Sequence, residues 1–241
     1  MSVTYGTGHL PTTLHSFCAQ TDCTDGGDPF AGLIQATDGN FYGTTEYGAS
    51  YGKGVMFKLT PSGVLTTLHN FDSTDFSGWG SQALVQATNG TFYGTRGYGG
   101  AYRVGTVFSL CVGLGWFTEE LPNYGTVGAT IDILGTNLTS ASYVTFNGTA
   151  APFTVLFPTL IQATVPPGAT TGYVRVMLPS GRIPSNKKFR VTPQITSFTP
   201  ATGPVGTLVT ITGISLTQTT KVIIGGLSAS FTRVVQLTIR P

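Results

Sequence analysis

The feature that most constrains this chain is a unit that occurs twice in its first half. Residues 36–45 read ATDGNFYGTT and return as residues 87–96, ATNGTFYGTR. Tyr42 and Tyr93 are 51 positions apart (93 − 42), and the Gly-x-x-Phe-x-Leu motif that follows each tyrosine keeps the same spacing. Upstream, residues 14–17 recur as residues 68–71 at an offset of 54 (68 − 14), so the first copy has three extra residues in its 18–32 loop. Such an internal repeat predicts one structural unit that is built twice.

Each unit contains four short strand candidates bounded by Gly, Asp or Asn turns. In the second unit these are residues 66–71, 83–87, 91–95 and 106–110. Four strands in about 50 residues predict a β-propeller blade. Residues 1–13 are similar to the end of a unit, so we expect a partial repeat before the two complete ones.

The composition supports a folded chain of short strands. Of 241 residues, 40% are hydrophobic and 9% charged, with 33 glycines and 14 prolines. Such a chain can bury a large core, and we expect almost no helix. The net charge of +2 and one short basic run at residues 187–190 do not indicate a nucleic-acid partner. No apolar run approaches the roughly 20 residues that span a membrane.

A second duplication occurs in the other half of the chain. Residues 125–135 return as residues 203–213, at an offset of 78 (203 − 125), and the alignment holds as far as Phe153 and Phe231. Alternating apolar residues with a Gly-x-x-Gly turn predict half-buried β-strands. Pro241 aligns with Ala163 (241 − 78), so we expect the second copy to be incomplete.

These motifs resemble two known families. Leu-His-x-Phe, Leu-Ile/Val-Gln-Ala, Asp/Asn-Gly-x-Phe-Tyr-Gly-Thr and Gly-x-x-Phe-x-Leu, over residues 14–110, resemble the Gloeo/Verruco tandem repeat of bacterial extracellular proteins. Residues 193–200, PQITSFTP, open a segment similar to the IPT/TIG domain, an immunoglobulin-like β-sandwich. The resemblance implies an all-β chain with an extracellular or cell-surface location, in which propeller-blade-like four-stranded repeats precede immunoglobulin-like domains.

The predicted domain boundaries coincide with the change of motif. Residues 1–112 hold the two propeller-like repeats and the partial leading repeat. Residues 113–192 form an IPT/TIG domain, and residues 193–241 form a truncated second one.

Several candidates for chemistry have simpler interpretations. Residues 48–52 fit the G-x-S-x-G nucleophile pattern, but no helix is predicted after Ser50, and the second repeat has Ala101 in its place. Three aspartates between residues 22 and 28 lack the spacing of an EF-hand, so they favour a turn over a calcium site. His15 and His69 have no carboxylate at a shared offset and are expected to be structural. We therefore predict no catalytic residues, no metal and no cofactor.

The cysteines leave two interpretations open. Cys18 and Cys23 are close in sequence and would form a disulfide in an exported protein, or remain free thiols in a reducing compartment. A zinc site would need two more ligands, and no Cys or His pair at suitable spacing provides them.

The strongest binding candidates are tyrosines in Gly-rich loops. Tyr47 and Tyr51 align with Tyr98 and Tyr102, and tyrosine rings stack on sugars or anchor protein partners. Packing between neighbouring repeats explains the repeated tyrosines equally well.

We therefore predict a non-enzymatic binding or adhesion module, with a glycan or a cell-surface protein as partner and IPT/TIG domains as spacers. Two alternatives stay open, namely an accessory part of a polysaccharide-active enzyme and a fragment without independent function.

Overall fold

The computed structural model describes residues 11–72 and 83–233, so most of the predicted partial repeat lies outside the described residues. Within these residues the chain forms twenty strands and only three short 3₁₀ turns, which confirms the all-β prediction. The chain divides into two compact units, Met1–Gly115 and Trp116–Pro241. No helix in the described part is long and apolar enough to cross a membrane.

The first unit contains one antiparallel sheet for each repeat. Within each sheet, an Asp-Gly or Asn-Gly turn joins two strands, and its glycine, Gly39 or Gly90, adopts a φ of 82° that favours glycine over other residues. The first sheet has the order β1-β2-β3-β4 and the second β5-β6-β7. The strands are β1 (Ile34–Gln35), β2 (Phe41–Thr44), β3 (Val55–Leu59), β4 (Leu65–Asn70), β5 (Leu84–Gln86), β6 (Phe92–Arg96) and β7 (Thr106–Leu110).

The grouping of strands differs from the sequence-based prediction. Strand β4 carries the Leu-His-x-Phe motif of the second repeat, yet it pairs with β3 of the first. The physical reason is a tight turn after β3, in which Thr60 N–H donates to the Val64 carbonyl at 2.9 Å. A hairpin this short closes at little entropic cost. The matching motif of the first repeat, residues 14–17, does not form a strand.

The two sheets pack face to face. The ring of Tyr42 on β2 lies 4.4 Å from that of Phe92 on β6. Met56, Phe71 and Leu84 complete the buried cluster between the repeats. The first sheet is buried on both faces along β2 and β3, whereas residues of β6 alternate between buried and exposed. Among the residues that the structure describes, the second sheet is therefore covered on one face only.

The first copy in the other compact unit is a two-sheet sandwich, as predicted. Its sheets have the orders β13-β14-β10-β8 and β12-β11-β15-β16-β9, and alternation along β10 buries Ile131 and Ile133 in the shared core. The strands are β8 (Glu119–Leu121), β9 (Tyr124–Gly125), β10 (Thr130–Leu134), β11 (Tyr143–Phe146), β12 (Thr149–Ala151), β13 (Phe153–Phe157), β14 (Leu160–Thr164), β15 (Gly172–Leu178) and β16 (Gly181–Val191).

The second copy forms only two small sheets in its described part. Strand β17 (Gln194–Thr199) pairs with β18 (Thr210–Ile214), and β19 (Val222–Ile224) pairs with β20 (Leu227–Ala229). Its large apolar side chains stay exposed, among them Ile195, Phe198 and Leu208. No second layer of strands covers them within the described residues.

Candidate functional site

The candidate tyrosines lie in two loops with the same backbone structure. Residues 45–54 connect β2 to β3, and residues 97–105 connect β6 to β7. In the first loop Gly54 N–H donates to the Gly48 carbonyl at 3.2 Å, and in the second Gly105 N–H donates to the Gly99 carbonyl at 3.1 Å. The hydrogen bonds match at the 51-residue offset, so each loop presents its side chains from an equivalent frame.

The backbone dihedrals explain why the loops tolerate sequence differences. Ala49 has a φ of 62° where the second loop has Gly100 at 76°. Gly52 has a φ of 65° where the second loop has Arg103 at 59°. In each pair one loop bears the strain of a non-glycine residue in the left-handed region. Both loops nevertheless keep the same turn.

Three of the four candidate tyrosines are displayed to solvent, and one is packed. Tyr51 and Tyr98 are exposed, and Tyr102 is 88% exposed. Tyr47 is half-buried because its ring lies on Gly27, where an added Cβ would approach Tyr47 Cε2 to 2.6 Å. Tyr51, Tyr98 and Tyr102 are thus available to a ligand, whereas Tyr47 supports the first loop.

Arg96 connects the second repeat to the first loop. Its guanidinium lies 4.2 Å from the centroid of the Phe71 ring, and Nη2 donates to the Lys53 carbonyl at 2.8 Å. The side chain is buried. This contact places the first loop beside the end of β6, from which the second loop starts. Sequence reasoning missed Arg96, and the available signal was a basic residue aligned with Thr45.

The segment that contains Cys18 and Cys23 is hydrogen-bonded to the first loop. The Cys23 carbonyl accepts hydrogen bonds from Gly26 N–H at 2.9 Å and from Ala49 N–H at 2.8 Å. The Sγ atoms of Cys18 and Cys23 are in bonding contact, with Cα atoms 4.0 Å apart. A covalent link at this point would fix the backbone that holds the Tyr47 to Tyr51 turn.

A histidine–carboxylate pair, of which only the carboxylate is fully buried, lies in the same segment. His15 Nε2 is 3.0 Å from Asp25 Oδ2, and the His15 ring meets the Phe17 ring edge-on at 4.9 Å. The sequence did not reveal this pair because Asp25 has no aligned carboxylate in the second repeat. Since one oxygen of Asp25 faces His15 and the side chain is buried, the pair anchors the segment.

The other candidates remain dispersed. Asp22 and Asp28 are exposed while Asp25 is buried, so the three carboxylates do not converge on one point. Among the described residues no three His, Cys, Asp or Glu side chains are grouped as metal ligands. Ser50 is exposed in a turn, without the helix that a nucleophile elbow requires.

Glu120 is a buried carboxyl group of the sandwich domain. It lies on β8, and Oε1 accepts a hydrogen bond from the Thr118 hydroxyl at 3.0 Å. Burial raises the pKa of Glu120 to about 7, although the Thr118 hydrogen bond opposes the shift. Glu120, Asn186 and Lys187 border a cavity of about 200 Å³. Glu119 borders the same cavity, but it is only partly buried.

Two family models match the chain. The Gloeobacter/Verrucomicrobia repeat matches residues 1–151, and the IPT/TIG domain matches residues 117–191 and 193–240. The two matches overlap over residues 117–151. The order of the matches agrees with the resemblance seen in the motifs.

Part of the chain is similar to a solved structure of a surface glycan-binding protein. The crystal structure of the surface glycan-binding protein PbSGBP-B from Prevotella bryantii aligns at 25% identity, over 43% of this chain and 25% of its own length, with a TM-score of 0.27. The alignment thus spans a quarter of that protein. No curated protein matches the chain.

Proposed function

We propose that this chain, which belongs to the Gloeobacter/Verrucomicrobia repeat family and carries IPT/TIG domains, is a non-enzymatic binding module that recognises glycans through paired tyrosine loops. The repeats in residues 1–112 present the loops. The immunoglobulin-like domains, in residues 113–192 and 193–241, act as spacers.

The observation that carries the proposal is the display of tyrosines on two loops of equal backbone structure. Tyr51 and Tyr102 occupy equivalent positions, and both are exposed. Packing between repeats was the competing explanation for these tyrosines, but side chains that pack between repeats are buried, as Tyr42 is. Exposed aromatic rings offer apolar faces to sugar rings at a low cost in conformational entropy.

The Arg96 contact supports joint use of the two loops. It ties the Lys53 carbonyl of the first loop to the end of β6, so neighbouring loops can engage successive sugar units of one polymer. Two weak sites that bind one chain gain affinity through effective concentration. We therefore expect stronger binding to polysaccharides than to single sugars.

We propose an extracellular or cell-surface location, with Cys18 and Cys23 joined as a disulfide. The contact between their sulfur atoms supports this pairing, and disulfides persist in oxidising compartments. Mass spectrometry of the protein purified from its native compartment tests it. Alkylation of both thiols without prior reduction would contradict the disulfide.

The binding proposal is tested by affinity electrophoresis in gels that contain soluble polysaccharides such as xylan, mixed-linkage glucan or galactomannan. We expect the wild-type chain to be retarded by at least one polymer, and the triple variant Tyr51→Ala/Tyr98→Ala/Tyr102→Ala to lose this retardation. Each aromatic stacking contact contributes about 1 kcal/mol, so losing three lowers affinity by about a hundredfold.

The matched control is Tyr143→Ala, which removes an exposed tyrosine from the sandwich domain. It should bind as the wild type does, and circular dichroism should show that both variants are folded. If no polysaccharide retards the wild type, glycan binding is wrong. Retardation that survives in the triple variant would place the site elsewhere.

A further inference from the structure

The second repeat exposes one entire face of its sheet. Val85 on β5, Tyr93 on β6 and Val107 on β7 all point to this side, and Val107 is 76% exposed. Val85 pairs directly with Tyr93, and Thr95 with Val107, so these side chains form a continuous patch. We call Val85, Tyr93, Thr95 and Val107 the open face.

The equivalent face of the first repeat is covered. Ile34, Tyr42 and Met56 occupy the positions of Val85, Tyr93 and Val107, and Met56 is 0% exposed. The cover is the second repeat itself, since Phe92 stacks on Tyr42 and Leu84 joins the same cluster. The molecule therefore shows what fits on such a face, namely the Leu84 and Phe92 side of a neighbouring repeat.

The first repeat carries the matching side, where Phe17 packs on Phe57 but Leu33 remains accessible. Leu33 and Phe41 occupy the positions of Leu84 and Phe92 at the 51-residue offset. Leu33 is 52% exposed where Leu84 is 8% exposed, and Phe41 is half-buried where Phe92 is fully buried. We call Leu33 and Phe41 the knob face. Each chain thus displays both halves of the interface that it already contains once.

We infer that chains of this protein associate head to tail, with the knob face of one copy packed on the open face of the next. The inference concerns assembly and does not depend on the glycan proposal. The two faces are different surfaces of the chain, so the contact is heterologous and can extend into rings or filaments. The outward positions of β5, β6 and β7 are uncharged at Val85, Tyr93, Thr95, Val107 and Ser109, so packing buries no isolated charge there.

One contact of the internal interface has no counterpart in the proposed one. Arg96 bonds to the Lys53 carbonyl between the repeats, but the first repeat has Thr45 at that position. The internal interface also has hydrogen bonds between Gln86 and Thr37, and their counterparts at the 51-residue offset are Gln35 and Thr88. Between chains the contact therefore keeps the apolar packing and this polar pair but lacks the Arg96 bond. We expect an association that is weaker than the internal packing and that depends on protein concentration.

Sedimentation velocity of the full chain over a concentration series tests the proposal. The wild type should form oligomers as the concentration rises. Val107→Asp blocks the open face and Leu33→Asp blocks the knob face, because each places a carboxylate in an apolar contact. Each variant alone should weaken self-association by about tenfold or more, and since both residues are exposed, far-UV circular dichroism should be unchanged.

Mixing the two variants gives a result that only a heterologous contact predicts. A Val107→Asp chain retains its knob face and a Leu33→Asp chain retains its open face, so an equimolar mixture should form dimers and no larger species. An isologous interface would leave the mixture as dissociated as its components.

Leu227→Asp is the control for association through the second immunoglobulin-like copy, since Leu227 is exposed there. It should leave the oligomers unchanged. The proposal is overturned if the wild type stays monomeric throughout the series. It is equally overturned if Leu227→Asp, and not the two repeat variants, dissociates the oligomers, or if the mixed variants fail to form dimers.

Discussion

The two immunoglobulin-like copies share their local structure but differ in what covers them. Leu138 and Leu216 each begin a 3₁₀ turn, and each comes directly after a residue in the left-handed region, Asn137 with a φ of 56° and Ser215 with a φ of 58°. Yet Phe146 is 1% exposed in the first copy, and its counterpart Ile224 is 53% exposed in the second. Local sequence therefore sets the turn, while burial depends on the opposite sheet.

The two repeats differ in the same direction. The first sheet is covered on both faces and the second on one, although the strands have equivalent sequences. In each duplicated pair the core strands of the first copy are more enclosed than those of the second. The same substitution at aligned positions of the two copies therefore separates what a residue contributes to stability through its local structure from what it contributes through burial.

The largest difference in stability is expected between alanine substitutions of the aligned residues Leu138 and Leu216. Leu138→Ala should lower the free energy of unfolding of the first copy by about 3 kcal/mol, because it leaves a cavity in a closed core. Leu216→Ala should cost less than about 1 kcal/mol, since Leu216 is only partly buried. Denaturant unfolding followed by hydrogen exchange and mass spectrometry resolves the copies. Equal costs at both positions would show that the second copy is equally enclosed.

The next effect is a dependence of stability on pH that only the first copy should show. Glu120 aligns with Phe198, so a carboxyl group is buried where the second copy exposes an aromatic ring. The unfolded state loses the Glu120 proton near pH 4.5, whereas the folded state retains it to about pH 7. Stability therefore falls as pH rises between these values, by up to about 3 kcal/mol.

Replacing the carboxyl group isolates this effect. Glu120→Gln keeps an acceptor for the Thr118 hydroxyl but cannot ionise, so the stability of the first copy should become independent of pH between about pH 5 and about pH 8. Urea unfolding at several pH values measures the difference. A wild type whose stability does not change over that range would show that Glu120 ionises freely in the folded state.

The smallest effect compares two aligned tyrosines of the repeats. Tyr42 donates its hydroxyl to Asp38 Oδ2 at 2.9 Å, whereas Tyr93 has Asn89 at the position of Asp38. Tyr42→Phe should cost about 1 kcal/mol through loss of this hydrogen bond, and Tyr93→Phe less than about 0.5 kcal/mol. Thermal unfolding ranks the two variants, and equal costs would mean that the Asp38 contact adds no stability.

The Tyr42→Phe variant should also change the pKa of Asp38. Burial acts to raise the pKa of Asp38, but hydrogen bonds from Asn40 and Tyr42 outweigh it, so the pKa lies below its ordinary value. Tyr42→Phe removes one of these bonds, and the pKa of Asp38 should rise. Titration by NMR measures the change, and an unchanged pKa would assign the shift to Asn40 alone.

Periodic features of the chain were predictable from the sequence. The repeats indicate the strands, the turns at Gly39 and Gly90 and the equivalence of the tyrosine loops, because these depend on local preferences that recur at a fixed offset.

Features that depend on contacts between distant segments were not predictable. The pairing of β4 with the first sheet was predicted wrongly, because the repeat pattern does not show which neighbour a strand joins. The His15–Asp25 pair and the reach of Arg96 to Lys53 depend on how the chain folds back on itself, and alignment of the copies does not reveal that. Tyr47 and Tyr51 look alike in sequence, and only the packing against Gly27 separates their environments.

The position of β4 also determines how the two repeats resist separation by mechanical force. This strand belongs by sequence to the second unit and by hydrogen bonding to the sheet of the first, so the joint between them lies inside a sheet. Separating the two repeats requires breaking the hydrogen bonds between β4 and β3 or unfolding part of the second repeat. The two repeats therefore overlap by one strand. A truncation at the boundary of the sequence repeat would remove β4 from the first sheet, whereas a deletion of one full 51-residue period would leave the pairing between the repeats in place.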